Sequence, residues 1–495
     1  MSGHIILFIF TLTFNCFLFS FGVQNFKTWG PGLKPDLIIL PARYFFIQSE
    51  DNSTDGVLNN IIVRVNGLDK SGNRNCRIWT NVLHTTDNIV IVRYKLYEVC
   101  YSLNIDVISK QDHSSLTPPV HIKGPVYPDD VVCPSKEPID KWLSLYECKN
   151  HNPQMTKDLA KFPSIDYDKL HAGAVIAFNH SASMSVCNYV VINNQVYRRC
   201  YGQHTGFKMF MDNILLSLTR KVHLPDIEFW SNLGDWPLTQ SVQYPMFSWC
   251  GSDDTYDILM PTYDITESSL ENMGRVSLDM LSVQGNNQHR WHQKHSKAFW
   301  RGRDSNRDRL NLIDIGRAHP DLFNVSLTNF FFFKNEEDKY GPKQKHVSFF
   351  EFFDYKYQLN LDGTVAAYRF PYLLAGDSLV FKQDSKYYEH FYTQLRPWEH
   401  YVPVKKDLSD LVHRVKWAME HEDEVKDIVR NARAFVRDNL MPRDIVCYHA
   451  VLFNEWSKRT KSKVRVRDGM ELVPQKQSDL ATNPCENSRT VHEEL

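Results

Sequence analysis

The sequence predicts an α/β protein with two lobes, preceded by an all-β sandwich. Three observations lead to this fold class. The 495 residues are 42% hydrophobic and 13% aromatic, which is enough for several packed cores. Short strand-like runs separated by Gly, Asn, Asp and Pro fill residues 24–124. Beyond residue 140, strands alternate with amphipathic helices, and this alternation indicates two parallel-sheet lobes.

The N-terminal apolar run at residues 5–21 is interrupted by Thr11, Thr13 and Asn15, so it is short and weak for a membrane span. We interpret residues 1–22 as a signal peptide, although only His4 precedes the run where basic residues are usual. A signal-anchor helix stays open as the alternative. No other segment of the sequence is long and apolar enough to predict a membrane span.

Residues 24–130 are predicted to form the β-sandwich. Strand-like runs occur at residues 37–40, 44–47, 61–65, 88–94 and 101–107. Residues 30–33 (GPGL) and 118–122 (PPVHI) resemble a filamin-type immunoglobulin-like repeat. Nothing in this region gathers catalytic groups, so we interpret it as an interaction or spacer module. Residues 125–140 are interpreted as a linker.

Local patterns predict the elements of the second region. Residues 188–198 predict a hairpin that turns at Asn193-Asn194, and residues 227–233 predict a buried strand. Apolar residues recur at helical spacing from about Gly206. Further strands are predicted at residues 330–334, 357–361 and 378–382, and helices at residues 408–419, 424–439 and 445–456. After residue 462 the charged sequence predicts an extended or mobile tail.

Ten cysteines fit an oxidising compartment. Cys16 leaves with the signal peptide, so nine remain and at least one lacks an intrachain partner. Proximity in the sequence suggests the bridges Cys133–Cys148 and Cys187–Cys200. The absence of C-x-x-C argues against zinc ribbons and thioredoxin-like chemistry. Sequons for N-glycosylation begin at Asn52, Asn179 and Asn324.

Two segments about sixty residues apart combine arginine with glycine or small residues. They are residues 299–305 (FWRGRDS) and residues 362–369 (DGTVAAYR). A guanidinium offers a rigid fork of donors to two phosphate oxygens, and small residues let backbone N–H groups approach an anion. Neither segment fits the P-loop or the G-x-G-x-x-G pattern, which excludes an ordinary NTPase or dehydrogenase site. The net charge of −1 argues against nucleic-acid binding.

Both segments resemble the CAP10 domain of glycosyltransferase family 90, in particular its KDEL-motif-containing protein O-glucosyltransferases. The resemblance extends to residues 226–237 (DIEFWSNLGDWP), 248–252 (SWCGS), 260–263 (MPTY), 273–280 (MGRVSLDM), 328–334 (TNFFFFK) and 382–391 (KQDSKYYEHF). It implies a GT-B-like glycosyltransferase domain of two Rossmann-like lobes at residues 140–461. It also implies a UDP-sugar donor, with glucose rather than xylose, and Ser acceptors on EGF-like repeats of secreted or membrane proteins.

The candidate donor-binding residues follow from this resemblance and from the chemistry of arginine. Arg301, Arg303 and Arg369 are the candidates for the diphosphate, with structural salt bridges to nearby aspartates as the alternative. The small residues Gly363, Thr364, Val365, Ala366 and Ala367 are expected to cap the next helix and offer N–H groups. Tight strand–helix packing is the alternative for them. Arg307 and Arg309 are interpreted as solvated helix positions.

The general base has three candidates. Related O-glucosyltransferases place an aspartate just after a hairpin, but residues 198–204 contain no carboxylate here. Asp235, at a strand end, and Asp212, on a helix beside apolar residues, rank about equally. His204 follows them, because its intrinsic pKa suits proton transfer.

The acceptor cleft is expected to contain Trp236, Trp249, Tyr263 and Asp253, because aromatic faces suit sugars and peptides. Core packing is an equal alternative for the aromatic residues. Asp253 and Asp254 lack D-x-D spacing and no His–carboxylate cluster supports them, so no metal site is predicted. The run of four phenylalanines at residues 330–333 is interpreted as a core strand.

The C-terminus ends in His492, Glu493, Glu494 and Leu495, which resembles an endoplasmic reticulum retrieval signal read by a receptor. Residues 462–495 are therefore interpreted as a charged tail that carries this signal in a lumenal protein. The sequence as a whole favours an inverting, metal-independent protein O-glucosyltransferase that needs no cofactor besides its donor substrate UDP-glucose. The alternative is a retained lectin or chaperone that has kept the fold without the base.

Overall fold

The structure is a computed structural model that describes residues 26–49, 57–180, 183, 185–239, 244–271, 278–286, 288–475 and 485. The interpreted signal peptide, the sequon at Asn52 and the retrieval-like residues 492–495 lie outside this part of the chain. Within it, no helix is both long and apolar enough to cross a membrane.

The strands and helices are numbered in chain order. The strands are β1 Phe26–Trp29, β2 Arg43–Ser49, β3 Ile61–Leu68, β4 Ile78–His84, β5 Ile89–Leu96, β6 Cys100–Ser109, β7 Val120–Val126, β8 Val186–Ile192, β9 Gln195–Tyr201, β10 Ile227–Asn232, β11 Phe247–Ser248, β12 Gly251–Ser252, β13 Ile258–Leu259, β14 His295–Arg303, β15 Phe323–Asn329, β16 Tyr355–Asn360, β17 Leu379–Gln383, β18 Tyr387–Tyr388, β19 Val402–Val404 and β20 Glu471–Val473. The α-helices are α1 Ile139–Leu145, α2 Pro153–Leu159, α3 Tyr167–Phe178, α4 Lys208–Lys221, α5 Tyr263–Leu270, α6 Met280–Gln284, α7 Arg307–Ala318, α8 Glu337–Tyr340, α9 Phe370–Ala375, α10 Leu411–Glu420, α11 Glu422–Asn439 and α12 Pro442–Ser457.

Strands β1 to β7 form two antiparallel sheets, in the orders β1-β2-β5-β4 and β3-β6-β7. Apolar side chains from both sheets, among them Phe45, Val92 and Leu103, share one buried cluster. The strand predicted at residues 37–40 is wrong, because the chain turns there and Ile38 donates its N–H to the Lys34 carbonyl. The filamin-type relationship stays a prediction.

This β-rich region is not a spacer. Its outward-facing Tyr44, Phe46 and Ile91 belong to the same buried cluster as the core of the following α/β region. Residues 127–138 also pack closely: Asp129 forms salt bridges with Arg220 and with Lys221. The spacer interpretation is therefore wrong, since a large apolar face is buried between the two regions.

The first α/β lobe contains the sheet β13-β11-β10-β8-β9-β20. Strands β10, β11 and β13 run parallel, whereas β8, β9 and β20 pair antiparallel. The predicted hairpin is confirmed: Asn193 and Asn194 both adopt positive φ, as a two-residue turn requires. The expectation of a parallel-sheet lobe is met here only in part, because the predicted hairpin adds antiparallel strands to one side of the sheet.

Of the predicted alternatives for the tail, extended or mobile, the chain is extended as far as residue 475 and docks on the first lobe. Strand β20 adds to the edge of the first lobe beside β9. Arg467 donates to both carboxylate oxygens of the buried Glu228 and also contacts Asp168. These contacts explain why a charged, aperiodic sequence docks on the sheet.

The second lobe contains the parallel sheet β15-β14-β16-β17-β19, as predicted. The strand predicted at residues 330–334 is wrong, because β15 ends at Asn329 and the chain then bends. The buried carboxylate of Asp304 accepts the N–H groups of residues 331, 332 and 333. Phe331 and Phe332 are consequently 59% and 52% exposed instead of lying in the core.

Four disulfides form among the described cysteines. Cys187–Cys200 joins β8 to β9, as predicted, and Cys76–Cys100 lies in the β-rich region. The predicted Cys133–Cys148 bridge is wrong: Cys148 pairs with Cys447 and Cys133 with Cys485. Both pairings link parts of the chain that proximity in sequence does not connect. Cys250 is the buried free thiol of this described set.

Candidate functional site

The two arginine-containing segments meet at one edge of the second lobe. Strand β14 ends at Arg303, and the chain after β16 leads to Arg369. Because β14 and β16 are parallel neighbours, their carboxyl ends lie at the same edge of the sheet. Arg301, Arg303 and Arg369 line one cavity of about 460 Å³, together with Asp264 from the first lobe. The cavity therefore lies between the two lobes.

Arg303 and Arg369 bring two positive charges into this cavity. Arg369 donates from Nη1 to the Arg301 carbonyl oxygen at 2.6 Å, which fixes its position. Burial and the nearby charge of Arg303 lower the pKa of Arg369 to about 10. Across the described chain, neither guanidinium forms a salt bridge with a carboxylate. Two unneutralised cations held together in a cavity favour an anionic ligand there.

The aspartates that were the alternative partners are engaged elsewhere. Asp304 accepts from the three N–H groups after β15. Asp308 accepts from Gln383 Nε2 at 2.9 Å, and Asp362 accepts from the Ser385 hydroxyl. Among the described residues, these aspartates therefore do not form the alternative salt bridges with Arg303 or Arg369.

Arg301 has a different environment from the other two arginines. Its Nη1 donates to the Asn324 carbonyl at 2.9 Å, and its Nη2 donates to Asn324 Oδ1 at 2.8 Å. Its guanidinium lies 4.5 Å from the centroid of the Phe299 ring. Arg301 therefore holds β14 against β15, although it also lines the cavity.

Two of the predicted glycosylation sites differ in their surroundings. Asn324 lies within β15, and its Nδ2 donates to the Tyr355 hydroxyl at 2.6 Å while its Oδ1 accepts from Arg301. A glycan on Nδ2 conflicts with this half-buried arrangement in the folded chain. Asn179, by contrast, is exposed at the C-terminal end of α3.

Sequence reasoning missed the role of Arg309. Its interpretation as a solvated position is wrong, since the residue is only 4% exposed. It donates to the carbonyls of Arg303 at 2.9 Å, Asp362 at 2.7 Å and Leu361 at 3.2 Å, and so ties the two segments together. Burial, reinforced by the charge of Arg369, lowers its pKa to about 9. Arg307 lies in the same first turn of α7 and is exposed, as expected, so position in the helix gave no signal that Arg309 would be buried.

The small-residue loop at residues 363–367 does not line the cavity. Gly363 donates its N–H to the Val365 carbonyl at 2.7 Å, and the N–H of Ala366 faces the Cys250 sulfur. Thr364 is half-buried, whereas residues 365–367 are buried. Its small side chains therefore fit the packing alternative, in which the loop supports Arg369.

Asp235 approaches the cavity from the first lobe. It follows β10, and its carboxylate interacts electrostatically with Arg303 of the second lobe. Desolvation by the cleft walls raises the pKa of Asp235, and the opposing charge of Arg303 lowers it in part. Tyr368 of the second lobe donates its hydroxyl to the Asp235 carbonyl at 3.4 Å. Asp235 is thus the base candidate that lies beside the arginines.

Asp264 is a site residue that sequence reasoning did not identify. It lies in the first turn of α5 and lines the arginine cavity. Burial, together with repulsion from Glu267 and Asp235, raises its pKa to about 7. Its protonation therefore changes near neutral pH.

Asp235 is not itself among the residues that line the cavity, and the other two base candidates contact partners within the first lobe. Asp212 forms a salt bridge with Arg198 Nη1 at 2.9 Å and accepts from the Tyr189 hydroxyl at 2.9 Å. Burial raises its pKa despite that salt bridge. His204 is exposed, and its carbonyl accepts from the Ser185 hydroxyl at 2.8 Å. The geometry favours Asp235 over both of them.

The expected acceptor residues divide into two groups. Trp236 is 50% exposed, with its ring 6.1 Å from that of Tyr387, whereas Trp249 is buried against Tyr263 at 4.8 Å. Asp253 is exposed, and its backbone N–H donates to the Lys386 carbonyl at 3.1 Å. Within the described ranges, no three His, Cys, Asp or Glu side chains form a metal-binding cluster. A metal-independent mechanism stays a prediction.

Comparison with known proteins identifies the family. The sequence model of glycosyl transferase family 90 matches residues 144–493. Protein O-glucosyltransferase 2 of Danio rerio is 47% identical over 476 residues, which cover 94% of this chain and 93% of the relative. Protein O-glucosyltransferase 3 of Homo sapiens is 44% identical over 479 residues, with 94% and 93% covered. Protein O-glucosyltransferase 1 of Homo sapiens is 30% identical over 306 residues, with 58% and 76% covered. The chain therefore belongs to glycosyl transferase family 90.

Proposed function

We propose that this protein transfers glucose from UDP-glucose to serine hydroxyls on EGF-like repeats, with inversion and without a metal ion. Its relatives are protein O-glucosyltransferases, which supports a protein O-glycosyltransferase activity. The observation that carries the proposal is the cavity in which Arg303 and Arg369 lie without carboxylate partners in the described chain, beside Asp235.

The two arginines would stabilise the leaving group. As the bond between the anomeric carbon and the diphosphate oxygen breaks, negative charge accumulates on UDP. Preorganised guanidinium groups in a partly desolvated cavity stabilise such charge more than water does. Because Arg369 is already fixed by its bond to the Arg301 carbonyl, little reorganisation is needed when UDP binds.

Asp235 would act as the general base. Its carboxylate takes the proton from the serine hydroxyl while the serine oxygen attacks the anomeric carbon from the face opposite UDP. The glycosidic bond forms, the bond to UDP breaks, and UDP leaves with that electron pair. The proton then passes from Asp235 to solvent. The raised pKa of Asp235 suits this role, because a stronger base accepts the proton more readily.

The decisive experiment is an assay of the purified protein with a folded EGF-like repeat. UDP-glucose and UDP-xylose are compared as donors, and the modified residue is located by mass spectrometry. We expect a single hexose on serine from UDP-glucose. If UDP binds but no sugar is transferred to any folded repeat, a retained lectin or chaperone becomes the better hypothesis. The absence of a carboxylate in the stretch after the hairpin also favours that hypothesis.

Donor binding should weaken as the pH rises through about 7. Asp264 is neutral below its pKa, so it can donate a hydrogen bond in the cavity, whereas above its pKa it places a negative charge beside the diphosphate. We expect the UDP dissociation constant to increase several-fold between roughly pH 6 and pH 8. Calorimetry on wild type and Asp264→Asn tests this, because the variant should show a flatter profile. Identical profiles would show that Asp264 does not face the donor.

We further propose that the protein resides in the lumen of the endoplasmic reticulum. The support is the signal-like N-terminus combined with the retrieval-like residues His492 to Leu495. Deleting these four residues should release the protein into the medium of cultured cells, as detected by immunoblotting. Retention of the truncated protein inside the cell would count against a retrieval signal.

A further inference from the structure

The β-rich region contacts helix α6, which follows the cavity residue Leu278. Arg93 on β5 donates from Nη1 to Asp279 Oδ2 at 3.1 Å and to the Ser282 hydroxyl at 3.0 Å. Asp279 is the N-cap of α6, since its Oδ1 accepts the Ser282 N–H at 2.9 Å. Arg93 therefore binds the carboxylate that begins this helix.

A second set of contacts fixes the other end of α6. Asp87, between β4 and β5, forms salt bridges with Arg433 at 3.2 Å and with Arg437 at 2.6 Å. Arg433 donates to the Gln284 carbonyl at 2.9 Å, and Gln284 Nε2 donates back to the Arg433 carbonyl at 2.9 Å. Although burial opposes ionisation, the two arginines lower the pKa of Asp87 to about 2. This network stays charged across the physiological pH range.

Apolar packing reinforces both ends. Gly285 follows α6 so closely to β4 that a Cβ atom there would lie 2.7 Å from Leu83 Cβ. Met280, Leu281 and Val283 are buried in the cluster that also contains Ile91 of β5. The β-rich region therefore contacts α6 at its first residues through Arg93 and at its last residues through Leu83 and, by way of Arg433, Asp87.

The opposite side of α6 leads to the arginine cavity. Leu278, next to the N-cap, lines that cavity. Helix α6 also packs against α9, whose N-cap is Arg369. Tyr372 on α9 lines the cavity too and donates its hydroxyl to the Asp264 carbonyl at 3.1 Å. A continuous chain of contacts thus runs from β5 through α6 and α9 to the proposed donor site.

We propose that the β-rich region is a positioning element of the donor site, with Arg93 and Asp87 as its positioning residues. By fixing both ends of α6, they hold Leu278 and helix α9, and therefore keep Arg369 in place in the cavity. The inference rests on the proposed function, because it assigns the region to the geometry of UDP binding. It gives the region a role in the reaction without any direct contact with substrate.

The test compares UDP affinity in Arg93→Ala and Asp87→Asn with that of the wild type by calorimetry. We expect each variant to bind UDP about three- to tenfold more weakly. The KM for UDP-glucose should rise by a similar factor. The kcat should also fall, because Arg369 stabilises the leaving diphosphate, but by less than in Asp235→Asn, because Asp235 and Arg303 are untouched. Arg93→Lys keeps the charge opposite Asp279 and should recover most of the affinity.

The matched control is Arg74→Ala. Arg74 is an exposed arginine in the same region, and its salt bridges run to Asp69 and Glu98, away from α6. It should leave both UDP affinity and KM unchanged. If both Arg93→Ala and Asp87→Asn bind UDP as tightly as the wild type, this inference is wrong and the proposed function is not affected. That holds even if the melting temperatures of the variants fall, because lower stability alone does not show an effect on the donor site. A wild-type protein that does not bind UDP would overturn the proposed function, and this inference with it.

Discussion

Replacing Asp235 by Asn is expected to reduce the rate of serine glucosylation by about 10²–10⁴-fold. Asn has nearly the same shape as Asp, so the substitution removes basicity and changes little else. UDP affinity should stay the same or rise slightly, because the variant loses a negative charge near Arg303. Transfer rates with a folded EGF-like repeat and calorimetry with UDP measure the two quantities separately.

Asp212→Asn is the matched control for this prediction. Asp212 is also a carboxylate of the first lobe with a raised pKa, but it is bound to Arg198 and Tyr189. Its replacement should lower the melting temperature and leave the rate per folded molecule close to that of the wild type. Full activity of Asp235→Asn would remove it from the reaction, and the exposed His204 would become the next candidate.

The contrast between these two aspartates shows where sequence reasoning reached its limit. Asp235 lies at the end of a predicted strand and Asp212 follows apolar residues on a predicted helix, so local pattern ranks them about equally. What separates them is the partner that each meets: Arg198 lies on the neighbouring strand β9, whereas Arg303 lies on the other lobe. Contacts between distant parts of the chain are set by tertiary packing, which no local period reports.

Contacts between distant parts of the chain also account for the other differences between the sequence-based predictions and the structure. The parallel arrangement of the second sheet was predictable from the alternation of strands and helices, although of its five strands the sequence located only those at residues 357–361 and 378–382. Arg309, Asp264 and the Cys148–Cys447 bridge were not predictable, since each depends on a partner far away in the sequence. At Phe331 and Phe332 the local sequence has strong strand propensity, but no strand forms. The buried carboxylate of Asp304 binds three backbone N–H groups there, which leaves both phenylalanines exposed.

Replacing Arg369 by Ala is expected to weaken UDP binding by roughly ten- to a hundredfold, the range for a lost charge-assisted hydrogen bond. The unliganded protein should not lose stability in proportion. Burial and repulsion from Arg303 lower the pKa of Arg369 to about 10, so keeping this charge in the unliganded protein opposes much of what its hydrogen bond to the Arg301 carbonyl contributes to stability. We therefore expect the melting temperature without UDP to stay level or rise, while the stabilisation by UDP nearly disappears.

Two control variants test whether Arg369 binds the donor or only stabilises the fold. Arg301→Ala should lower the melting temperature in the absence of UDP, because that guanidinium joins β14 to Asn324 on β15. Arg307→Ala, at an exposed site paired with Glu336, should change neither stability nor affinity. If Arg369→Ala instead binds UDP normally and melts earlier, Arg369 serves the fold and the diphosphate must lie against Arg303 alone. Because Arg369 donates to the Arg301 carbonyl at 2.6 Å, that outcome would place its main role in fixing the end of β14.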